Sequence, residues 1–151
     1  MVSETDLPSA ASVAAVVDEV TSGILGIGTR EGAAPTEAPS WWTCSLAIGA
    51  PAELSLVVRC PEAFARRVAE AMVGTDGQDV SDELLRESLA EFTSMVGGNL
   101  KSLVRPLSCA PLATPVVGPA EPGAGFLVSL RCGVEPITVR LSPIVEERCA
   151  S

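Results

Sequence analysis

Apolar residues recur at three- and four-residue steps over one long stretch in the middle of the chain, from Ser81 to Arg105. At about 100° per residue, this repeat gathers its apolar side chains on one side of an α-helix. Ser81 can act as the N-cap, and Pro106 cannot continue a helix. We therefore predict a helix over this stretch whose core side carries Leu84, Leu85, Leu89, Phe92, Met95, Val96, Leu100 and Leu103.

Two further helices are predicted from the same kind of pattern. The first runs from Ser9 or Ser12 to about Gly23, with a stripe of valines. The second starts at Pro61, which suits the beginning of a helix, and ends at Gly74. Residues 1–8 and 145–151 are expected to be loose tails, and residues 29–40 a loop.

The remaining apolar runs are short and β-prone. Residues 41–48 and 53–60 flank a Gly-Ala-Pro turn, which predicts an antiparallel hairpin. Residues 112–117, 126–132 and 136–141 predict a C-terminal three-strand meander. Because the strands are grouped, we expect an α+β fold in which a largely antiparallel sheet packs against the N-terminal helix and the two central helices.

Length and charge narrow the classes of function. The 151 residues fit a single domain, and the apolar runs are too short to span a bilayer. No basic-then-apolar leader opens the chain, so a cytoplasmic location is expected. The net charge of −9 disfavours nucleic acid and anionic membrane as partners.

The residue types that are missing restrict the chemistry further. The chain has no histidine, which excludes Ser-His and Cys-His nucleophiles and the commonest metal ligand. Its five cysteines are scattered without a CxxC pair, which favours reduced thiols and offers no metal site. Trp41 and Trp42 are interpreted as strand-edge packing, with an interface as the alternative.

One side of the long helix is a candidate site. Glu87, Glu91, Ser94 and Gly98 fall within a sector roughly 60° wide, away from the apolar side. We call these four residues the outward ridge. Glu91 and Ser94 are neighbours one turn apart, and Gly98 leaves room for a partner to approach. Asn99 is predicted near the centre of the apolar side, as a buried hydrogen-bonding group.

Three stretches of the chain resemble one protein family. The order of elements and these stretches are similar to the CheX/CheC/FliY chemotaxis phosphatases, and in size and single motif to CheX. The stretches are FARRVAEAMVG at 64–74, DELLRESLAEFTSMVGGNLKS at 82–102 and LATPVV at 112–117.

The family is marked by a Glu-x-x-Asn pair on a helix, followed by a Met-Ile-x-Gly-Asn run. Glu91 matches the family's Glu, Met95 its Met, and Gly98 with Asn99 its Gly-Asn. Ser94 stands where the family has its catalytic Asn. The resemblance thus retains one half of the motif and alters the other.

The resemblance implies a domain that docks on the phosphorylated receiver domain of a response regulator. In the family, the Glu contacts the active-site lysine of the receiver, and the Asn positions a water molecule for attack on the aspartyl phosphate. The Mg²⁺ belongs to the receiver, so no cofactor is expected in this chain. A serine side chain ends about one bond short of an asparagine amide, so we expect reduced or no hydrolysis.

Two alternatives accompany this expectation. In one, the chain is an active phosphatase of phosphorylated response regulators that uses Glu91, with Ser94 or Thr93 orienting the water. In the other, it is a noncatalytic homodimeric scaffold that associates through a sheet edge or through the tryptophans.

Overall fold

Side chains alternate between buried and more exposed along the strands, so one face of the sheet is buried. Three helices cover that face. The structure, a computed structural model, describes residues 2–32, 41–74, 80–118 and 125–144. The helices are α1 (Ala10–Leu25), α2 (Glu62–Val73) and α3 (Asp82–Lys101). The strands are β1 (Arg30–Glu31), β2 (Trp41–Ile48), β3 (Leu54–Pro61), β4 (Val116–Val117), β5 (Phe126–Cys132) and β6 (Glu135–Pro143).

The six strands form one antiparallel sheet in the order β1-β5-β6-β3-β2-β4. The predicted hairpin of β2 and β3 is confirmed, and its pairing runs from Trp41 opposite Pro61 to Ile48 opposite Leu54. Gly49 opens the turn between them at a φ of 107°, which glycine adopts without strain. The α+β class with an antiparallel sheet and three helices is confirmed.

The pairing of the C-terminal strands differs from the predicted meander. β5 and β6 form a hairpin, but β6 continues the sheet by pairing with β3. β4 pairs with Cys44 and Ser45 of β2 at the opposite edge. Because α3 packs against β2, the chain that leaves α3 emerges beside the β2 edge, where the amide of Ala113 donates to the carbonyl of Ala47.

The short strand β1 was not predicted. Arg30 and Glu31 were assigned to a loop, but they pair with β5 as β1. Residues 33–40 lie outside the described residues, as do Met1 and 145–151 of the predicted tails. Within the predicted N-terminal tail, Val2 is only 4% exposed and packs in the core.

The helices begin and end where their terminal residues direct. The Ser9 hydroxyl accepts a hydrogen bond from the backbone of α1, and Ser81 does the same for α3. Gly74 ends α2 in the left-handed conformation, as the sequence predicted. Phe64 of α2 and Phe92 of α3 meet edge to face with ring centroids 5.5 Å apart, which joins the two helices in the core.

Candidate functional site

The packing of α3 against the sheet determines which side of the helix faces outward. A Cβ added at Gly97 would lie only 2.4 Å from Cδ2 of Leu46 in β2, so the absence of a side chain allows this close approach. Thr93, one turn earlier, is fully buried. The same side of α3 lies next to the buried thiol of Cys44 in β2. The opposite side of α3 is left facing away from the sheet.

The outward ridge lies on this opposite side. Glu87 and Glu91 are exposed, whereas Ser94 and Gly98 are half-buried. A Cβ added at Gly98 would have one neighbour within 4 Å, Cδ1 of Leu112 at 3.9 Å. A partner can therefore approach the helix backbone at Gly98, with Leu112 beside it.

The polar side chains of the outward ridge make no hydrogen bonds or ion pairs with other described residues. Across the part of the chain that the structure describes, no side-chain hydrogen bond or ion pair involves Glu91 or Ser94. The two side chains are one helical turn apart and point to the same side. A carboxylate and a hydroxyl are thus both available to one bound partner.

The prediction that Asn99 is buried was wrong. Asn99 is exposed, and its side-chain amide donates to the carbonyl oxygen of Met95 at 2.8 Å. Met95 was placed on the core side, but it is 37% exposed. Both residues continue the line of Glu87 and Glu91 at four-residue steps. That spacing was the signal in the sequence that could have placed Met95 beside the outward ridge.

The end of α3 also differs from the prediction. The helix ends at Lys101, four residues before Arg105, and the hydroxyl of Ser102 donates to the carbonyl of Asn99. Leu103 was assigned to the core side, but it is 45% exposed. The chain turns here, and Val104 and Leu107 after the turn are fully buried.

Thr93 cannot serve as the water-orienting group that one alternative assigned to it. Its side chain is completely buried, and its hydroxyl donates to the carbonyl oxygen of Leu89 at 2.8 Å. It therefore has neither access to a partner nor a free proton. Of the two hydroxyls considered, only Ser94 faces outward.

A family model named "Chemotaxis phosphatase CheX" matches residues 42–121, which is more than half of the chain. The chain belongs to the CheX family. The matched region includes β2, β3, α2, α3 and β4, and so contains the whole outward ridge. A sequence comparison with curated proteins gives no significant match.

Solved structures agree with this assignment of the fold. The CheX protein of Desulfovibrio desulfuricans is 19% identical, with a TM-score of 0.66 over 89% of this chain and 98% of its own. A CheX–CheY–BeF₃–Mg²⁺ complex from Borrelia burgdorferi contains a chain that is 13% identical, with a TM-score of 0.67 over 91% and 98%. Thermotoga maritima FliY is 14% identical, with a TM-score of 0.54 over 85% and 82%. At these identities, the likeness establishes the fold of the CheX domain.

A groove next to α3 contains the two tryptophans of this CheX-family chain. It measures about 340 Å³ and is lined by Trp41, Trp42, Thr43, Arg86, Val117 and Gly118. Trp42 also packs against the core, and the guanidinium of Arg59 lies 4.8 Å from the centre of a Trp41 ring. Both rings therefore have packing partners within the protein, as strand-edge residues do.

Neither a metal site nor a membrane segment is apparent in the described parts of the chain. No group of three or more Cys, Asp or Glu side chains there could hold a metal ion. None of the helices described is both long and apolar enough to cross a bilayer.

Proposed function

We propose that this CheX-family domain docks its outward ridge on the phosphorylated receiver domain of a response regulator, and that it hydrolyses the aspartyl phosphate slowly or not at all. The observation that carries the proposal is the pairing of Glu91 and Ser94 on the outer side of α3. Both face away from the core, and neither has a partner within the described residues. Such groups are available for another molecule.

The docking half of the proposal is supported by the fold and by charge. A structure of similar fold is a CheX–CheY–BeF₃–Mg²⁺ complex, so the scaffold is one that occurs bound to a receiver. The resemblance assigns the carboxylate of Glu91 to the lysine of the receiver active site. Glu87 lies one turn before it and is also exposed, so this part of the outward ridge is negative and suits a cationic group. Mg²⁺ would be supplied by the receiver.

The catalytic half rests on position 94. The serine hydroxyl is attached to one carbon and ends about 1 Å short of the amide that the family uses. Misplacing an attacking water by about 1 Å costs on the order of 100-fold in a reaction that depends on orientation. The loss is therefore large enough to separate a binder from a phosphatase.

Asn99 does not restore the missing amide. It lies five residues after Ser94, which is about 7.5 Å along the helix axis and about 140° around it. Its amide already donates to the carbonyl of Met95. An asparagine at position 94 is therefore the change that tests the proposal.

The experiment installs Ser94→Asn and follows the decay of a phosphorylated receiver. We expect the phosphorylated receiver to decay about 10- to 100-fold faster with this variant than with the unmodified protein, because the amide reaches the water that serine cannot. Adding Glu91→Ala to the variant should remove the gain. Ser102→Asn is the matched control, since it makes the same chemical change at an exposed position about two turns further along the chain and should leave the rate unchanged.

Binding is measured separately, by fluorescence anisotropy with a BeF₃-treated receiver. If the receiver binds but Ser94→Asn gives no gain, the explanation of the lost hydrolysis is wrong while docking stands. If neither protein binds any receiver in the BeF₃ form, the docking proposal fails.

Two sequence predictions remain predictions. We place the domain in the cytoplasm, where a receiver partner would be found. The homodimer through a sheet edge or the tryptophans is the alternative function.

A further inference from the structure

The face of the sheet that the helices leave uncovered carries a cluster of arginines. Strand residues alternate between the two faces, and the buried set on β2, β3, β5 and β6 points to the helices. The alternate set points outward and includes Arg59, Arg131 and Arg140. Arg30 joins them, because it pairs directly with Arg131 and cross-strand partners share a face.

The register places these four residues as two pairs. Arg30 and Arg131 are directly opposite on β1 and β5. Arg59 on β3 is opposite Thr138, two residues before Arg140 on β6, so the second pair is diagonal. The two pairs span three strand spacings, about 15 Å. An extended segment of about five residues is long enough to reach both.

No carboxylate accompanies them at the outward positions of the six strands. Glu53 is the residue just before β3, so it is not one of these strand positions. The other outward residues are small, hydroxylated or apolar: Trp41, Thr43, Ser45, Ala47, Ser55, Val57, Pro61, Val116, Leu127, Ser129, Pro136, Thr138 and Ser142.

The four arginines also lack ion-pair partners among the described residues. The ion pairs found there join Arg66 to Glu62 and Arg67 to Glu135, all away from this face. The chain has 19 acidic and 10 basic residues, so acidic side chains are plentiful. Like charges directly opposite each other destabilise a sheet, as at Arg30 and Arg131. A positive cluster without ion pairs among the described residues, in an acidic protein, therefore points to a binding partner.

The neighbouring side chains identify the kind of partner. Leu127, 45% exposed, and Val57 lie on either side of Arg140 in the register, and Arg59 stacks near Trp41. Arginine and tryptophan among apolar side chains are typical of protein interfaces. Guanidinium groups bind carboxylates in a two-pronged geometry that lysine cannot provide. The net charge of −9 works against a long polyanion such as nucleic acid.

We infer that this face binds an acidic segment of another protein, one that combines carboxylates with apolar side chains. We call Arg30, Arg59, Arg131 and Arg140 the arginine face. It is on the opposite side of the molecule from the outward ridge, since the helices lie between them. Both surfaces can be occupied at once, so the domain can join a receiver to an acidic protein.

The test uses a labelled 20-residue peptide of Glu, Asp and Leu, with a Gln, Asn and Leu peptide as the uncharged counterpart. The acidic peptide should bind the full chain, weaken as salt is raised, and lose about tenfold or more in affinity in Arg131→Gln/Arg140→Gln. The matched control is Arg66→Gln/Arg105→Gln, which removes the same charge elsewhere and should change affinity less than about twofold. Binding to the BeF₃-treated receiver should not change in either variant.

Four results would overturn the inference. The first is no binding of the acidic peptide to the unmodified protein, and the second is equal binding of the uncharged peptide. The third is an equal loss in the two double variants, which would mean that net charge alone acts. The fourth is tighter binding of a 20-nucleotide single-stranded DNA or of phosphatidylserine vesicles than of the peptide. Thermal unfolding of each variant confirms that the fold persists, because the substituted arginines lie at the surface.

Discussion

Two adjacent glycines on α3 should respond in opposite ways to the same substitution. Replacing glycine by alanine inside a helix gains about 1 kcal/mol of stability through helix propensity alone. Gly98→Ala should obtain this gain, since the new Cβ would meet only Cδ1 of Leu112 at 3.9 Å, an ordinary contact.

Gly97→Ala gains the same propensity but meets the sheet. The new Cβ would lie 2.4 Å from Cδ2 of Leu46 and 3.4 Å from Cδ2 of Leu56, and both leucines are buried. Overpacking of a filled core costs about 1–3 kcal/mol. The propensity gain is common to both variants, so the stability difference between Gly97→Ala and Gly98→Ala isolates this packing cost at about 1–3 kcal/mol.

Urea denaturation followed by circular dichroism measures both variants against the unmodified protein. Gly97→Ala should unfold at lower urea than Gly98→Ala with an unchanged m-value. In a protein of this size the difference corresponds to several degrees in Tm. If the two variants were equally stable, α3 would not be seated on β2 as described, and the direction of the outward ridge would lose its basis.

Other predictions concern the core and its edges. Burial raises the pKa of the Cys60 thiol to about 12, above its value of 9.0 in the unfolded chain. The unfolded chain therefore loses this proton first as pH rises from 9 towards 12. The free energy of unfolding should fall over this range by about 1 kcal/mol per pH unit for this thiol. Alkaline urea titrations should show a shallower fall in Cys60→Ala, and an unchanged fall would refute this origin. Arg67 and Glu135 form an ion pair at 2.8 Å, and the glutamate side chain is 14% exposed. Glu135→Gln should lower the free energy of unfolding by about 1–2 kcal/mol. Arg66 and Glu62 form a more exposed ion pair at 3.6 Å, so Glu62→Gln should lower the free energy of unfolding by less than about 0.5 kcal/mol. Equal losses of stability in the two variants, measured by thermal unfolding, would contradict this prediction.

Features set by neighbouring residues in the chain were predicted well. The start of α3 follows from the Ser81 cap, and the end of α2 from Gly74. The hairpin of β2 and β3 follows from alternation around a short turn. Each of these depends on residues that are close in sequence, so single-chain patterns contain the necessary information.

The helical wheel predicted burial wrongly where burial depends on the position along the axis of α3. Ser88 and Asn99 lie within about 20° of each other around the axis, yet Ser88 is buried and Asn99 is exposed. They differ by about 16 Å in height. A wheel shows which residues share a side, but it does not show how far along the helix the neighbouring elements extend. That depends on tertiary packing.

Long-range pairing was also beyond the sequence. β4 was predicted next to β5, but the turn after α3 brings it to β2. The arginine face depends on the same kind of information, because its four residues are scattered along the chain and only the strand register unites them. Neither the pairing of β4 with β2 nor the arginine face has a local signal in the sequence.

The sign of the effect on a phosphorylated receiver separates a binder from an enzyme. A domain that binds the phosphorylated form without positioning water leaves its lifetime unchanged, or lengthens it where the bound phosphoryl group is shielded from water. A domain that also positions water shortens it. With the Glu91 carboxylate facing outward and a serine at 94, we expect the unmodified protein to leave the phosphoryl lifetime equal or longer, and Ser94→Asn to shorten it. A change in the amount of docking alone could not turn an equal or longer lifetime into a shorter one.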